Sequence, residues 1–256
     1  MGVHIEQVVK IVREAAVIIR NREIDLNITI KGAADYATEI DFKVQQFIEK
    51  ELKNAYPKIQ FMGEEKSNEE VDFNEKFWVL DPVDGTNNLV HDYKEVAISL
   101  ALFDKREGVL GVVYQPYTEE LYTANKGQGA YLNGNKIQVS KVKTLSKSLI
   151  SFGASPYYKE LAEENFEVFK EIFTRCEDFR RTGSAAMELA YVASGRVESF
   201  FEKRLKLWDY AAGILLVKEA GGKFTGYKGD ELELEVCSDI VATNGKIHSE
   251  LLEILH

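Results

Sequence analysis

The segment from Trp78 to Asn88 reads Trp-Val-Leu-Asp-Pro-Val-Asp-Gly-Thr-Asn-Asn and joins an apolar run to a turn. The apolar run predicts a buried strand that ends at Asp81. The proline and the glycine that follow are turn-forming residues, and they bring Asp84 back toward Asp81. Two carboxylates at the end of a strand can share a cation, although acidic pairs in turns also act as capping residues.

Two further acids stand at the ends of apolar segments. Glu64 follows the strand-like run 59–62, and Asp209 opens an apolar helix over 209–220. A charge at the tip of a buried element is costly unless it is paired or bound to a metal. For Asp209 the simpler alternative is an N-cap of that helix.

The four acids Glu64, Asp81, Asp84 and Asp209 have no histidine or cysteine cluster beside them. Ligation by oxygen alone favours a hard cation, Mg²⁺ before Mn²⁺ or Ca²⁺, and argues against zinc. Two or three such ions would turn an acidic cluster into a positive clamp for a phosphate and for an attacking water. Residues 85–87 add backbone N–H groups and a hydroxyl, and if they start a helix, that helix end favours an anion. The pattern therefore predicts hydrolysis of a phosphate ester.

The periodicity along the chain predicts helices and strands in alternating blocks. Helical spacing covers 4–20 and a second helix that begins after the N-cap Thr38, with Asp41 in its first turn. The intervening residues 31–37 lack periodicity and predict a loop. Asn133-Gly134 predicts a hairpin turn. Further strands are predicted at 59–62, 77–80, 96–103, 109–114, 121–124, 149–152, 199–201, 223–227 and 240–242, and further helices at 160–173, 184–193 and 209–220.

This alternation predicts a layered α+β fold. We expect an N-terminal half over 1–143 with most of the candidate ligands and a C-terminal half over 144–256 with Asp209. No Pro/Gly/Ser-rich linker separates them, so we expect the halves to pack as one unit.

Composition sets limits on the class of protein. The 256 residues are 45% hydrophobic and carry a net charge of −10, which is typical of a globular chain and disfavours binding nucleic acid through a broad basic surface. Cys176 and Cys237 form no C-x-x-C pair and are interpreted as buried thiols in a reducing compartment. With neither a signal peptide nor a membrane-spanning run in the sequence, we expect a cytoplasmic protein.

Two long motifs resemble the signatures of the inositol monophosphatase family of Mg²⁺-dependent, lithium-sensitive phosphatases. They are Asp81-Pro-Val-Asp-Gly-Thr and the fifteen-residue stretch that begins Trp208-Asp-Tyr-Ala-Ala-Gly. The resemblance covers nearly the whole chain. It implies a layered α-β-α-β-α sandwich of the inositol monophosphatase/fructose-1,6-bisphosphatase type and a homodimer. Shorter matches in the family's order are Asp35 with Thr38 and Asp41, Gly63-Glu64-Glu65, Gly111-Val-Val-Tyr and Gly183-Ser-Ala-Ala.

The same resemblance implies roles for individual residues. Glu64, Asp81 and the Val83 carbonyl would bind one metal, while Asp81, Asp84 and Asp209 would bind a second. Glu64 and Thr86 would orient the attacking water, Asp41 would support Thr86 and a weaker third ion, and Lys31 would lie in a loop that closes over the metals. The residues implied to contact substrate are Asp84, Gly85, Thr86, Gly183, Ser184, Ala185, Glu202 and Asp209.

We therefore expect a phosphoric monoester hydrolase that uses Mg²⁺, or Mn²⁺ as a substitute, on a small sugar or polyol monophosphate. Inositol 1-phosphate is the first candidate. Fructose 1,6-bisphosphate, a nucleotide 3′-phosphate and NADP are alternatives, because Lys203, Arg204 and Lys206 could meet a second phosphate if they are not solvent-facing charge. A role as a transcription- or ribosome-associated binding protein is the non-enzyme alternative.

Overall fold

Amphipathic helices and apolar strands assemble into five alternating layers. The structure is a computed structural model, which describes residues 2–21, 27–32 and 35–255, without the side chain of Asp35. The helices are α1 (Ile5–Arg20), α2 (Glu39–Ala55), α3 (Thr86–Val90), α4 (Ala162–Arg175), α5 (Ala185–Ala193), α6 (Leu207–Glu219) and α7 (His248–Leu255). The strands are β1 (Thr29–Gly32), β2 (Asp35–Ala37), β3 (Gln60–Gly63), β4 (Lys76–Asp84), β5 (Ala97–Asp104), β6 (Glu107–Gln115), β7 (Glu120–Asn125), β8 (Gly129–Leu132), β9 (Asn135–Ile137), β10 (Leu149–Phe152), β11 (Asp178–Arg180), β12 (Ser199–Lys206), β13 (Lys223–Gly226) and β14 (Cys237–Thr243).

Two large sheets form the β layers. Strands β3 to β9 lie in chain order in a seven-stranded sheet, in which β3 and β4 are parallel and the later neighbours are antiparallel. The second sheet has the order β11-β10-β12-β14-β13. Helices α1 and α2 cover the outer face of the first sheet, α5 and α6 fill the space between the sheets, and α4 and α7 cover the second sheet. The predicted α-β-α-β-α sandwich is confirmed.

Strand β4 shows why its sheet is buried on both faces. Phe77 and Val79 belong to the core beneath α5 and α6, whereas Trp78 and Leu80 belong to the core beneath α1 and α2. Side chains alternate between faces in a strand, so a continuous apolar run fills both cores at once. The acids that follow this run consequently lie at the end of a rigid, central element.

The prediction of a loop at 31–37 is wrong, because this segment contains parts of two short antiparallel strands. Thr29 pairs with Ala37 and Ile30 with Tyr36, so Lys31 lies in β1 and not in a loop. All four residues of β1 are exposed, so the sequence shows no alternation of apolar and polar residues that would predict the strand. Residues 33 and 34, within the predicted loop, lie outside the described residues.

Other local predictions match the structure closely. The turn between β8 and β9 is Asn133-Gly134, and both residues have positive φ, as a two-residue hairpin of this kind requires. Cys176 and Cys237 are free thiols, but each is half-buried and not fully buried as expected. Among the described residues, no helix is both long and apolar enough to cross a bilayer.

Candidate active site

Parallel pairing of β3 and β4 brings two acids to the same edge of the first sheet. Gly63, the last residue of β3, pairs with Leu80, and the Glu64 N–H donates to the Leu80 carbonyl at 3.2 Å. Asp81 follows Leu80 directly, so Glu64 and Asp81 occupy neighbouring positions where the two strands end. The close approach of Gly63 to the Gln45 side chain leaves no room for a Cβ there.

A bulge and a tight turn place Asp84 beside Asp81. The pairing of β4 with β5 shifts register between these two residues, and the Val83 N–H donates to Asp81 Oδ1 at 3.0 Å. Gly85 then adopts a φ of +97°, a conformation that favours glycine, and α3 begins at Thr86. The turn predicted from the sequence is present, and it buries both aspartates.

Asp209 reaches the same place from the other half of the chain. Ser99 pairs with Asp81 across the strands, and its hydroxyl donates to the Trp208 carbonyl at 3.3 Å. Asp209 is the third residue of α6, and its Oδ2 accepts the Lys206 N–H at 2.9 Å, so it caps the helix start as well. Three oxygens, one from each carboxylate of Asp81, Asp84 and Asp209, lie within 4.8 Å of one another.

A buried hydrogen-bond chain fixes Thr86 at the rim of this cluster. Its Oγ1 lies 2.7 Å from Asp41 Oδ1 and 3.0 Å from the Val83 carbonyl. Asp41 is held in turn by Thr38, whose N–H donates to Oδ2 at 2.8 Å and whose hydroxyl donates to the same oxygen. The predicted N-cap of α2 is therefore confirmed, and the cap also anchors Asp41.

Glu64 lines the same cavity as the three aspartates but is not one of the carboxylates that meet most closely. Lys31 Nζ lies 3.3 Å from Glu64 Oε1 and 2.5 Å from Glu65 Oε1. Strand β1 thus supplies a cation over one side of the acid cluster. The side chain of Glu65 is buried by this pairing and is not solvated.

The residues predicted to contact substrate form the remaining wall of the cavity, although some of their polar groups are already used. Ser184 caps α5, and its hydroxyl donates to Asp84 Oδ2 at 2.5 Å, while the Ala186 N–H donates to the same oxygen at 2.6 Å. Glu202 is buried and accepts the Ser155 N–H at 2.8 Å. The predicted substrate contacts in this part of the wall are Gly85, Gly183, Ser184, Ala185 and Glu202, and they share it with other residues such as Phe152 and Tyr157.

Crowding of carboxylates in a buried place dominates the electrostatics. Burial raises the pKa values of Asp81 and Asp209 well above their ordinary range, and mutual repulsion within the cluster adds to the effect. Burial also raises the pKa of Asp84 to about 6, against the hydrogen bonds from α5. It raises the pKa of Glu64 to about 7 even though Lys31 opposes the shift.

This donor set fits a hard divalent cation. The groups are carboxylates and a backbone carbonyl, which are the ligands that Mg²⁺ prefers. None of the ion pairs in the described ranges involves Asp81, Asp84 or Asp209, so no protein cation neutralises them directly. A bound cation would relieve the repulsion that raises their pKa values.

Several residues near the site escaped the sequence prediction. Asn88 Nδ2 donates to the carbonyls of Glu95 and Thr182, at 2.7 and 2.9 Å, and so ties α3 to the loop before α5. Ser155 and Arg181 were missed too, because each lies in a connection without periodicity. Only the position of Arg181 two residues before Gly183-Ser184 could have drawn attention to it.

The cations that follow Glu202 divide into two kinds. Lys203 pairs with Glu164, and Arg204 Nη1 lies 2.8 Å from Glu160 Oε1, so these two have acidic partners on the protein surface. Lys206 has no ion-pair partner within the described part of the chain, and it lines a second cavity next to the first.

Comparison with known proteins identifies relatives of this chain in sequence and in structure. Residues 4–256 match the model of the inositol monophosphatase family. The chain is 38% identical over 231 residues to an inositol-1-monophosphatase of Rhizobium meliloti, covering 90% of this chain and 86% of that protein. It is 37% identical over 239 residues to the Nus factor SuhB of Xylella fastidiosa, covering 90% and 85%. A structure described as an IMPase/NADP phosphatase complexed with Mg²⁺ and phosphate superposes with a TM-score of 0.88 at 26% identity, covering 97% and 93%.

Proposed function

Since the chain belongs to the inositol monophosphatase family, we propose that it hydrolyses the phosphate ester of a small sugar or polyol monophosphate with Mg²⁺ bound, inositol 1-phosphate being the first candidate. The observation that carries this proposal is the meeting of the Asp81, Asp84 and Asp209 oxygens within 4.8 Å. Buried carboxylates this close together destabilise the folded protein unless a cation binds between them.

The chain offers ligands for more than one ion. Asp81, Asp84 and Asp209 would hold one, and Glu64, Asp81 and the Val83 carbonyl another, with Asp41 near a weaker third. Mg²⁺ bound there would supply a Lewis acid and a water of lowered pKa. Mn²⁺ prefers the same oxygen ligands and is the expected substitute.

The protein's own groups would then position the reactants. Asp41 Oδ1 accepts the Thr86 hydroxyl proton, so Thr86 Oγ1 keeps lone pairs that can accept a hydrogen bond from the attacking water. Glu64, on the opposite side, would orient the same water. Backbone N–H groups of Gly85 and Thr86 would bind the phosphate, and Glu202 would accept hydroxyl protons of the polyol.

We extend the proposal to two properties that the resemblance implies, inhibition by Li⁺ and a homodimer, and to the division into halves 1–143 and 144–256 that the sequence pattern predicts. The break between β9 of the first sheet and β10 of the second supports this division.

The decisive experiment is phosphate release from inositol 1-phosphate by the wild-type protein and by Asp81→Asn. We expect the variant to lose nearly all Mg²⁺-dependent turnover, about 10³-fold or more, because electrostatic stabilisation of the developing charge is lost. Circular dichroism and thermal unfolding should show an intact fold, since the substitution keeps the shape of the side chain.

The matched control is Asp104→Asn, which removes a carboxylate from the neighbouring strand β5. Asp104 is half-buried and pairs with Lys76 at 3.2 Å, away from the cavity. Turnover should stay within about twofold of wild type, because a surface ion pair contributes little. Full activity in Asp81→Asn would refute the assignment.

A second candidate is a binding function, favoured by the similarity to a Nus factor at nearly the same identity as to an inositol-1-monophosphatase. It makes a different prediction for the same variant. If binding is the main role, Asp81→Asn should still capture transcription components from a lysate as wild type does. Recovery of no such component by either protein would eliminate this candidate.

A further inference from the structure

Two segments of the cavity wall are assigned to different parts of the substrate. The turn at Gly85 and Thr86 would bind the phosphate, and the segment 183–185 (the substrate segment) is implied to contact the remainder. The two approach closely, because a Cβ on Gly85 would lie 3.5 Å from the Gly183 carbonyl oxygen. The contacts that hold them together therefore set the geometry of the substrate site.

Asn88, on α3, hydrogen bonds to the residue that precedes the substrate segment. Its Nδ2 donates to the Thr182 carbonyl at 2.9 Å and to the Glu95 carbonyl at 2.7 Å. A side-chain amide has two N–H donors, so both are used on backbone carbonyls and the orientation of the amide is fixed. A Cβ on Gly183 would lie 3.2 Å from Asn88 Oδ1, so the substrate segment packs directly against this side chain.

Glu188, on α5, binds the other backbone group of Thr182. Its Oε1 accepts the Thr182 N–H at 2.6 Å, and its Oε2 accepts the hydroxyl proton of Ser151 in β10. The side chain is buried, and burial raises the pKa of this carboxyl while the hydrogen bonds oppose the shift. A buried carboxyl is costly unless its oxygens accept hydrogen bonds. Glu188 obtains one of these bonds from the residue that leads into the substrate segment.

Thr182 is thus fixed by side chains from two helices. It lies in the connection between β11 and α5, where the backbone has no strand or helix ladder to pair with. Buried backbone groups need partners, and in irregular segments side chains supply them. Because its N–H and its carbonyl are both held, Thr182 determines the position from which the chain enters Gly183.

The phosphate end of the site has separate supports. Thr86 Oγ1 lies 2.7 Å from Asp41 Oδ1 and 3.0 Å from the Val83 carbonyl. Within the described ranges, the side-chain hydrogen bonds of Asn88 and Glu188 reach no candidate metal ligand. Loss of either side chain should therefore disturb the substrate segment and leave the phosphate-binding turn in place.

We propose, on the basis of the proposed function, that Asn88 and Glu188 are positioning residues, which hold the substrate segment at the distance from the phosphate-binding turn that fits a sugar or polyol. They act through Thr182 and determine the affinity for the part of the substrate beyond the phosphate. The affinities for phosphate itself and for Mg²⁺ depend on other residues.

The kinetic test uses Asn88→Ala, which removes both N–H donors, and Glu188→Met, which removes both acceptors from a side chain of similar length. We expect KM for inositol 1-phosphate to rise at least about tenfold in each variant, which corresponds to the loss of one buried hydrogen bond. The inhibition constant of inorganic phosphate and the Mg²⁺ concentration for half-maximal activity should stay within about twofold of wild type, because groups without shared partners act independently. A general loss of structure would change all three values together.

Two further variants serve as rescue and control. In Glu188→Gln, the side-chain oxygen can accept the Thr182 N–H and the amide can donate to Ser151 Oγ, so KM should stay within about twofold of wild type. Asn244→Ala is the matched control, because this buried amide donates to the Val142 carbonyl at 2.8 Å and does not line the cavity. It should lower the free energy of unfolding and leave KM unchanged.

Three results would overturn the proposal. The first is an unchanged KM for inositol 1-phosphate in both Asn88→Ala and Glu188→Met. The second is a phosphate inhibition constant that rises as much as KM does. The third is equal impairment of Glu188→Gln and Glu188→Met, since the glutamine retains the acceptor for the Thr182 N–H.

Hydrogen exchange of the Thr182 amide tests the contact without any turnover. In the wild-type protein this N–H is donated to a buried carboxyl, so we expect slow exchange. Exchange should be at least about tenfold faster in Glu188→Met and close to wild type in Glu188→Gln. Fast exchange in the wild-type protein would contradict the proposal.

Titration calorimetry distinguishes failure of this proposal from failure of the proposed function. If wild-type protein releases no phosphate from inositol 1-phosphate, the proposed function fails, but binding of inositol 1-phosphate and of inorganic phosphate can still be compared, each with Mg²⁺. Binding of the ester that is at least about tenfold weaker in Asn88→Ala, with unchanged phosphate binding, supports the positioning role. An equal change for both ligands, or no binding of the ester to wild type, contradicts it.

Discussion

At the scale of single residues, Gly153 shows how tightly the wall of the candidate site is built. A Cβ at this position would overlap the carboxyl group of Glu202, which is buried and accepts the Ser155 N–H. Glycine is needed here for space, because its φ does not lie in the left-handed region. The absence of a side chain at Gly153 thus leaves room for the Glu202 carboxyl group.

We predict that Gly153→Ala displaces Glu202, lowers kcat/KM about tenfold and reduces the free energy of unfolding by about 1–3 kcal/mol. Steady-state kinetics and thermal unfolding measure the two effects. Gly108→Ala is the matched control, because the nearest atom to a Cβ there is 3.7 Å away in the Phe103 ring. Wild-type kinetics in Gly153→Ala would show that Glu202 does not contribute to the site.

His248 is a buried residue whose protonation state affects stability. Its Nδ1 lies 2.9 Å from Thr243 Oγ1 and its Nε2 lies 3.1 Å from Thr225 Oγ1. Thr225 donates its own proton to the Gly226 carbonyl, so its oxygen is left to accept from Nε2–H. Burial, with the charge of Lys223 second, lowers the pKa of His248 to about 4. The folded protein therefore holds a neutral imidazole.

From this pKa we predict that His248 makes the protein less stable as the pH falls from 6.5 toward 4. In that range the unfolded chain binds a proton that the folded chain does not, so stability falls with pH by up to about 3 kcal/mol. Urea unfolding at several pH values, compared between wild type and His248→Gln, isolates this contribution. An identical pH slope in both proteins would contradict the prediction.

At the scale of elements, the start of α5 is joined to the end of β4 through Asp84. The Ser184 hydroxyl and the Ala186 N–H both donate to Asp84 Oδ2, so the N-terminus of α5 fixes the orientation of this carboxylate. This contact links the first sheet to the helices between the sheets. A helix cap and a candidate metal ligand therefore depend on the same hydroxyl.

We predict that Ser184→Ala lowers the free energy of unfolding by about 1 kcal/mol and weakens Mg²⁺ activation, because Asp84 loses a donor that fixes its orientation. Ser184→Thr should restore both. Ser194→Ala is the control at the other end of α5, where the hydroxyl donates to the backbone carbonyls of Ala190 and Tyr191. Unchanged Mg²⁺ dependence in Ser184→Ala would contradict the prediction, because it would show that the N-cap of α5 does not affect the candidate metal site.

Most elements with a strong apolar pattern were predicted from the sequence, but the short amphipathic helix α7 was not. Strand β4 and helix α6 were placed because a continuous apolar run requires a two-sided core. Strand β1 was missed because all its residues are exposed, so its pairing with β2 leaves no apolar pattern in the sequence. The convergence of Glu64 and Asp81 could be predicted because each acid follows an apolar run. The hydrogen bonds of Asn88 and Ser155 depend on tertiary contacts, which leave no periodic pattern in the sequence.

At the scale of the whole molecule, the five layers serve to hold acids from distant parts of the chain together. Asp81 and Asp84 stand at the end of a central strand of the first sheet, and Asp209 begins a helix packed between the sheets. Interiors of this kind are close-packed, so the carboxylates cannot separate to relieve their repulsion. We infer that the fold tolerates this cost because a divalent cation offsets it.

The most direct test of this account is a crystal structure of the protein grown with Mn²⁺, with anomalous differences recorded near the manganese absorption edge. We predict an anomalous peak among the carboxylates of Asp81, Asp84 and Asp209, at the coordination distances of a divalent ion, which the same crystals of Asp81→Asn lack. An empty site in the wild-type protein at millimolar Mn²⁺, or a peak only elsewhere on the protein, would contradict the account.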